Sequence, residues 1–544
     1  MSFFKHWLNK YKWSGELVLL LAIIGMSLFY NYIHVFQQGP YSIHMWRQAD
    51  CLSITEGYYQ NESPFYEPSM LYQTGGTGQC VAEFPLFYYI NAKLWTWFGK
   101  SEMIFRLFTF SIFVLGLFYL YWLIVDVLNS RFWAMIITLF VFTSPILVFY
   151  ANGFMVNVPA LAFVFIGWYY WHKFYQSSFS DKDLLIVATM ISIVGLLRIS
   201  LLYTFAFAYI SFGIEIFTAY RLGRQQQAIY QRKTKQGILL FTPLALVFLW
   251  VVYAKYYNSI HNSADVFLMT SRPIWKMSWT EIIDTSRMIF YNTNLPSLLF
   301  SFVGILFFLT SFLYLLMKTR HMGLLSKISF YSLAIGFILY VVLFFVNFKV
   351  HDYYLIELIP LMFFSFVLSL HFLLQNKSYS SSYRIKLSAV LVLCMSTYYC
   401  AAKQRIRYST EDWLVLNSKF FYTDNEIGNW WYLHDHYTKH FKALKGINNK
   451  LKSIGIRQDD LILSLPDESP NITLYLMEHK GYSGYHYGEL STLEKINKAK
   501  DNGVKYLVVS EDEILNTQEL REIVGLPIAV VDNVRVYKIK NTNP

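Results

Sequence analysis

The chain has 544 residues, of which 55% are hydrophobic, 19% aromatic and only 15% charged. Soluble globular domains carry about 25% charged residues, so this composition excludes an ordinary soluble protein and indicates one that uses lipid as part of its solvent. Lysine and arginine exceed aspartate and glutamate by 46 to 35, for a formal net charge of +11. Many of the basic residues lie in short connectors between apolar runs, where they set membrane orientation, so the charge requires no nucleic-acid partner.

Apolar runs of the length that crosses a bilayer, about 17–25 residues, recur over residues 1–402. They predict a polytopic α-helical membrane domain with about eleven transmembrane helices. In chain order the predicted spans are 15–36, 104–126, 132–150, 154–172, 184–201, 203–220, 238–256, 297–317, 328–347, 353–374 and 385–402. Residues 84–98 are also apolar, but this run is short and rich in Trp and Tyr, which predicts a helix lying at the membrane interface.

The distribution of basic residues predicts the orientation of the chain. Basic segments precede the first span and fill three connectors, and with eleven spans all of them lie on one side of the membrane; they are 5–12, 221–236, 318–327 and 377–386. The positive-inside rule makes that side, and with it the N-terminus, cytoplasmic. The first apolar run is too long for a cleavable signal peptide and lacks a small-residue cleavage site. The outer face is therefore predicted to receive the first loop (residues 37–103), the connection 257–296 and the chain after 403.

The C-terminal region, residues 403–544, has a different character. Charged residues return there, and short apolar runs alternate with helical patterns; the runs are 461–465, 504–510, 528–532 and 534–539. Strands separated by helix-length segments predict a small soluble α/β domain. The predicted topology makes this domain periplasmic or extracellular.

The first loop contains the densest group of polar side chains in the apolar part of the chain. They are His44, Arg47, Asp50, Glu56, Glu67 and Glu83. Such a set can supply a general base, a phosphate clamp or a metal site. A solvated loop whose charges only anchor it is the alternative interpretation. Cys51 and Cys80 lie in the same loop, and an oxidising compartment would allow them to pair if the geometry closes.

Two further polar features occur near the predicted outer ends of spans. His351 and Asp352 precede Tyr353 and Tyr354 at the start of the tenth span; such a pair is costly at that depth and often functional, whereas the tyrosines alone could be an interfacial belt. Arg198 lies inside an apolar stretch, where arginine normally pairs with an anion. A phosphate suits its guanidinium group, and snorkelling to headgroups is the alternative.

Other chemistries find little support in the sequence. A histidine-rich segment could ligate zinc, but it lacks further ligands, so a solvated helix face is the preferred interpretation; its histidines are His434, His436 and His440. The sequence contains no P-loop and no GxGxxG motif between a strand and a helix. An activated substrate is therefore expected to arrive through the membrane or from outside.

Taken in order, these features resemble the GT-C fold glycosyltransferases of the protein O-mannosyltransferase and aminoarabinose-transferase superfamily, in particular a bacterial branch with a WRQAD loop. The matching residues are Trp46–Asp50, Glu83–Tyr89, Arg106-Leu107, Ser144-Pro145, Arg198, His351–Tyr354 with Pro360, and the segment 465–482. The resemblance implies the GT-C fold and an enzyme of cell-envelope glycosylation in the bacterial inner (cytoplasmic) membrane. It implies transfer of a sugar from a polyprenyl-phosphate donor to a protein, lipid or glycan acceptor at the outer face.

The resemblance also implies roles for individual residues. A hydroxyl is a poor nucleophile at neutral pH, so a carboxylate must take its proton; Asp50 is the preferred base and Glu83 its rival. Arg47 and Arg198 are expected to bind the donor phosphate, and in-line attack would invert the anomeric centre. The substrate-binding candidates are His44, Trp46, Gln48, Glu56, His351, Asp352, Tyr353 and Tyr354. A divalent metal is left open, with Glu83, His351 and Asp352 as candidate ligands.

Two departures from the family pattern bear on these roles. Arg47-Gln48 stand where aminoarabinose transferases begin this helix with an acidic pair. Asn157-Val158-Pro159 stand where many relatives have Asp before the proline, so a role of that acid is weakened or moved here. The alternative functions are a lipid-linked glycan flippase or transporter, which predicts paired repeats that the sequence lacks, and a polymerase or ligase that moves whole oligosaccharides.

Overall fold

A computed structural model of the chain describes residues 14–177, 179–221, 227–263, 272–291, 301–376, 382–515 and 517–539. Every predicted span coincides with a helix or a broken helix of this structure, apart from residues 297–300, which lie outside the described residues. The helices of this part are α1 (Ser14–Phe29), α2 (Tyr32–Phe36), α3 (Met45–Asn61), α4 (Leu86–Phe98), α5 (Glu102–Leu128), α6 (Arg131–Val141), α7 (Pro145–Ala151), α8 (Asn157–Gln176), α9 (Asp181–Leu197), α10 (Ala206–Arg221), α11 (Gln227–Ile260), α12 (Trp279–Tyr291), α13 (Ser301–Lys318), α14 (Leu324–Phe344), α15 (Ile359–Leu374) and α16 (Tyr383–Ile406).

Within the described ranges, six helical segments are long and apolar enough to cross a membrane, or seven if the bent pair α6 and α7 is one span. The six are 102–128, 199–218, 232–260, 324–349, 352–374 and 383–406. The other predicted spans fall on α1, which is apolar but shorter, and on α8, α9 and α13. The protein is thus a multi-pass membrane protein.

The breaks in the predicted spans have local causes. The first span stops at Phe29 and resumes at Tyr32 because Asn31 adopts a left-handed backbone conformation, with φ 63°. The third span bends by 76° between α6 and α7. Its new helix begins at Pro145, which favours the first turn, and the Ser144 hydroxyl caps that turn by accepting from the Leu147 amide.

Arg106 secures the start of the first loop. The guanidinium group is buried and donates to the carbonyl oxygens of Gln38, Gly39 and Asn152 at 2.8–2.9 Å. It also packs on the ring of Phe154, at 4.2 Å from the ring centroid. The arginine therefore holds the beginning of the loop against the connection between α7 and α8.

The C-terminal region is a mixed α/β unit, and the four predicted strand runs are confirmed. Its elements are α17 (Trp413–Asn417), α18 (Asp424–His440), α19 (Asn448–Ser453), β1 (Ile462–Leu465), α20 (Ile472–Met477), β2 (Gly481–Ser483), α21 (Gly484–Tyr487), α22 (Thr492–Asp501), β3 (Tyr506–Val509), α23 (Gln518–Val524), β4 (Ala529–Val531) and β5 (Val534–Lys538). The sheet order is β2-β1-β3-β5-β4. Strand β1 pairs in parallel with β2 and β3, whereas β5 is antiparallel to β3 and β4.

The first loop extends this sheet beyond β2. Tyr72 forms a parallel bridge with Gly481, whose amide donates to the Leu71 carbonyl at 3.1 Å, and the Gln73 amide donates back to Gly481 at 2.9 Å. A Cβ atom at Gly481 would lie 2.0 Å from the Ile462 carbonyl oxygen, so only glycine permits this approach. One large cluster of buried apolar residues runs continuously from the membrane helices to the sheet. The C-terminal region is thus docked on the first loop.

Candidate active site

The WRQAD segment forms the first half of α3, and most of this helix is buried. Asp50 is 1% exposed and lines a cavity of about 580 Å³ between α3, the connection after α14 and the C-terminal region. We call this space the Asp50 cavity; it is lined by His44, Trp46, Arg47, Asp50, Val350, His351, Tyr353, Pro470 and Tyr485. Trp46 and Tyr485 are 43% and 41% exposed, and their rings meet edge to face at 5.2 Å. Two partly exposed aromatic rings thus line one side of a space that contains a carboxylate.

The two oxygens of Asp50 have different surroundings. Asn471 Nδ2 donates to Oδ1 at 2.8 Å, whereas Arg47 Nη1 lies 4.0 Å from Oδ2. Burial raises the pKa of Asp50 from 3.8 to about 7, although Arg47 and Asn471 both favour the ionised form. A carboxylate whose pKa is raised toward neutrality suits general-base catalysis.

Unlike those of Asp50, both carboxylate oxygens of Glu83 accept a hydrogen bond. One of its oxygens accepts from Arg47 Nη2 and the other from the Tyr88 hydroxyl. Tyr88 also lies 3.3 Å from Cys51 Sγ. Cys51 and Cys80 are buried free thiols, so the disulfide considered from the sequence is not formed in this structure. The arrangement makes Glu83 the counter-ion that orients Arg47.

His351 and Asp352 lie beside the first loop, close to α3. Asp352 is buried; it bonds His44 Nε2 at 3.1 Å, accepts from the Tyr150 hydroxyl and lies 3.6 Å from Arg407 Nη2. His351 lines the Asp50 cavity, and among the described residues its Nδ1 has no hydrogen-bond partner. Asp352 therefore fixes the orientation of the His44 ring, while Nδ1 of His351 can still bind a substrate group in the Asp50 cavity.

A second cavity, of about 570 Å³, adjoins the first. We call it the Arg198 cavity. Its polar lining comprises Arg47, Glu83, Asn157, Arg198, Ser200, Lys255, Asn258, Asn347, His351, Tyr353 and Tyr354. Its apolar lining comprises Val81, Ala82, Met155, Gly195, Leu196, Leu197, Ile199, Val247, Trp250, Val251 and Ala254. Arg47, His351 and Tyr353 line both cavities, so the two spaces meet at these three side chains.

Arg198 lines the second cavity but already has an anionic partner in the protein. Its Nε and Nη2 donate to Glu357 Oε1 at 2.9 and 2.6 Å, and its guanidinium lies over the Tyr354 ring at 5.3 Å. Glu357 is completely buried, and its Oε2 has no partner among the described residues. Glu357 was not among the residues predicted from the sequence, although an acid inside an apolar span is itself a signal of pairing or function.

Lys255 and Asn157 add two polar side chains to the second cavity. Lys255 is exposed, whereas Asn157 is buried and its Nδ2 has no hydrogen-bond partner within the described ranges. Lys255 lies near the end of an apolar helix and was not among the predicted site residues, although a charge at such a position is a signal of function. Asn157 was noted only as a departure from the family pattern.

Three of the substrate-binding candidates line neither cavity: Gln48, Glu56 and Asp352, whose contacts are given above. The Gln48 amide folds back to donate to the carbonyl oxygens of Tyr41 and Ile43 at 2.8 and 2.9 Å. Glu56 pairs with Lys100 at 2.7 Å, and Lys100 pairs in turn with Glu478 of the C-terminal region at 2.8 Å. The Gln48 and Glu56 side chains secure α3 and the C-terminal region, respectively.

The candidate metal ligands do not form a metal site. No three His, Cys, Asp or Glu residues within the described ranges are grouped so that they could hold an ion. The oxygens of Glu83 are taken by Arg47 and Tyr88, and those of Asp352 by hydrogen-bond and ionic partners. In the histidine-rich segment, His434 bonds the Tyr41 hydroxyl at 2.6 Å and the Ile406 carbonyl at 3.0 Å, and His440 pairs with Glu511 at 2.7 Å.

The helical architecture and the small C-terminal sheet make the chain a polytopic membrane protein, and its similarity to solved structures gives it the GT-C fold. It is similar to ArnT from Cupriavidus metallidurans in the apo state, with a TM-score of 0.54 and 11% identity over 96% of this chain and 98% of that one. It is equally similar to the same protein bound to undecaprenyl phosphate, with a TM-score of 0.55 and 11% identity over 98% and 100% of the two chains. No family model matches the sequence. No curated protein matches it either.

Proposed function

We propose that this protein is a membrane glycosyltransferase that moves a sugar from a polyprenyl-phosphate donor to an acceptor hydroxyl at the outer face, with inversion. The observation that carries the proposal is the position of Asp50, a buried carboxylate whose pKa burial raises to about 7, beside a second cavity that has basic and apolar walls. The undecaprenyl phosphate bound to ArnT from Cupriavidus metallidurans supports the choice of donor.

The Arg198 cavity suits the donor. Its apolar wall, which includes Val247, Trp250 and Val251 of α11, can accept the first isoprene units of a polyprenyl chain. Arg47, Arg198 and Lys255 supply positive charge for the phosphate, whose negative charge grows as the anomeric bond breaks. Arg198 offers the phosphate less than a full positive charge, because the Glu357 carboxylate neutralises part of it.

The Asp50 cavity suits the acceptor. An acceptor hydroxyl placed between Trp46, Tyr485 and Asp50 can give its proton to Asp50 as its oxygen attacks the anomeric carbon. The C–O bond to the lipid phosphate breaks on the opposite side of the sugar, toward the Arg198 cavity. Because the acceptor and the phosphate then occupy different cavities, a single in-line displacement inverts the anomeric centre and requires no covalent enzyme intermediate.

The test is consumption of a donor. The purified full-length chain in lipid nanodiscs is incubated with a panel of polyprenyl-phosphate sugars and a cell-envelope extract as the source of acceptor, and donor loss is followed. We expect loss of one donor by the wild type and none by Asp50→Asn. Glu67→Gln is the matched control, because Glu67 is a carboxylate of the same loop that lines neither cavity.

The same assay separates the alternatives. A flippase leaves every donor chemically intact, and a polymerase or ligase transfers more than one sugar unit at a time. Donor loss at the wild-type rate in Asp50→Asn would refute Asp50 as the base. Absence of donor loss for every polyprenyl-phosphate sugar would refute the proposed function.

A further inference from the structure

The segment between β1 and α20 of the C-terminal region reaches the candidate base. Asp467 organises this turn: its carboxylate accepts from the Ser469 and Thr473 amides at 2.8 and 2.9 Å and from the Thr473 hydroxyl at 2.7 Å. Asn471 stands at the end of the turn, just before α20, and is completely buried. The turn thus places an amide side chain beside α3 of the membrane domain.

Asn471 occupies a helix N-cap position without capping the helix. Asparagine at this position usually accepts a hydrogen bond from an amide of the first turn. Here Asp467 takes the Thr473 amide, and the Ser469 hydroxyl takes the Ile472 amide at 3.0 Å. Asn471 makes no side-chain cap bond. Its amide is therefore available for a contact outside α20.

The first loop determines which way the Asn471 amide faces. The Tyr72 amide can only donate, and it lies 3.2 Å from Asn471 Oδ1. The Ser53 hydroxyl accepts from the Leu71 amide at 2.8 Å and donates to the same Oδ1 at 2.7 Å. These two donors require the oxygen on their side, so the NH₂ group faces Asp50 Oδ1 at 2.8 Å.

We propose that Asn471 is a positioning residue for Asp50: it anchors Oδ1 and leaves Oδ2 to take the acceptor proton. This inference rests on the proposed function for the role of Asp50, while the contact itself does not. Asn471 does not line either cavity, so it acts through Asp50 rather than on substrate. The C-terminal region then contributes to the catalytic site and is not only a cap over it.

The contact favours the ionised carboxylate, because an amide N–H donates to the charged form more strongly. Other groups facing Asp50 act in both directions. Arg47 lowers its pKa, and Glu83 and Asp467 raise it, behind the dominant effect of burial. His44 and His351 line the same cavity. Replacement of Asn471 by a residue without the donor is expected to raise the pKa of Asp50 further.

The experiment measures the ionisation of Asp50 directly. Infrared difference spectra of the full-length chain in nanodiscs are recorded as a function of pH, and the carboxyl band of Asp50 is assigned by its absence in Asp50→Asn. In Asn471→Ala the midpoint of that band is expected to move upward by about one pH unit or more, the size of a charged hydrogen bond. In the same variant, the pH below which the transfer rate falls should rise by the same amount. At higher pH the transfer rate of Asn471→Ala should return to that of the wild type.

The matched control is Asn448→Ala. Asn448 is another asparagine of the C-terminal region whose amide donates to a carboxylate, Glu478 at 2.9 Å, away from Asp50. Its removal should leave the Asp50 midpoint in place. If Asn471→Ala does not fold, Asn471→Asp keeps the side-chain shape, replaces the donor by an acceptor and should also raise the midpoint.

An unmoved Asp50 midpoint in a folded Asn471 variant would overturn the inference. An equal shift in Asn448→Ala would overturn it as well, since the effect would then be general to the region. Failure of the proposed function looks different. In that case the Asp50 band titrates and shifts as expected, but the wild type consumes no polyprenyl-phosphate sugar.

Discussion

The carboxylates of the site differ in how closely cations approach them. Glu83 and Glu357 each accept a direct hydrogen bond from an arginine, whereas Arg47 Nη1 lies 4.0 Å from Asp50 Oδ2. A carboxylate bound directly to arginine is a poor base, because the pairing stabilises its ionised form. Asp50 and Glu83 were predicted from the sequence, with Asp50 favoured as the base. Asn471 could not be predicted, because its partner Asp50 is 421 residues away in the chain, and the partner of Glu357 is 159 residues away.

The transfer rate should depend on pH through Asp50. Burial raises the pKa of this acid from 3.8 to about 7, so the base is lost as pH falls through 7. We expect the rate to fall about tenfold for each pH unit below 7 and to level off above it. A pH series of donor consumption measures this, with Glu67→Gln as the control that keeps the same profile. A rate that is constant between pH 5 and 8 would contradict the assignment.

Arg198 and Lys255 should respond differently to removal. Arg198→Leu leaves the buried Glu357 without its cation, which costs about 3–5 kcal/mol of stability. The double variant with Glu357→Leu should recover most of that loss, because both charges are then gone. Lys255→Met should keep the wild-type stability and weaken only donor binding.

Thermal unfolding with and without undecaprenyl phosphate separates these effects. The lipid phosphate should raise the unfolding temperature most in the wild type, and less in the Glu357 double variant and in Lys255→Met, because each of these lacks one cation proposed for the phosphate. Wild-type stability in Arg198→Leu would show that the ion pair is not structural. An unchanged lipid effect in Lys255→Met would remove that lysine from the donor site.

At the scale of elements, hydrophobic length predicted the helices but not their breaks. Each span was recognisable because a bilayer requires about twenty apolar residues. The stop at Asn31 and the bend before Pro145 depend on single residues whose surroundings decide between a break and a continuous helix. Strand β2 was missed because its residues, Gly481–Ser483, do not form an apolar run and owe their place to the close approach of Gly481 to Ile462.

The bridge from Glu56 through Lys100 to Glu478 should hold the C-terminal region on the first loop. Lys100→Met leaves Glu56, which is nearly buried, beside a second carboxylate without a cation. We expect amide hydrogen exchange at Gly481 and Gln73, whose amides join the two parts, to accelerate about tenfold or more. Lys505→Met is the control, since Lys505 is exposed and its pair with Asp460 lies within the C-terminal region and does not reach the first loop. Equal exchange in both variants would assign the bridge no structural role.

At the scale of the molecule, two features bring the site together from distant parts of the sequence. The membrane helices supply the cavity with basic and apolar walls, and the C-terminal region supplies Pro470, Tyr485 and the Asn471 contact on the other side of α3. The sequence indicated both parts separately. Their docking could not be predicted, because the sheet extension at Tyr72 and Gly481 depends on backbone hydrogen bonds that leave no side-chain pattern.

The proposed function requires the C-terminal region and the basic connectors to lie on opposite sides of the membrane. Single cysteines report this when the exposed Cys394 is first replaced by serine, since the other three cysteines are buried. Leu526→Cys, at a position 89% exposed in the C-terminal region, should react with a membrane-impermeant maleimide in cells whose inner membrane is intact. Arg320→Cys, in the connector between α13 and α14, should react only after that membrane is permeabilised. Labelling of Arg320→Cys alone in intact cells would reverse the predicted orientation. Labelling of both positions would contradict the prediction that they lie on opposite sides of the membrane.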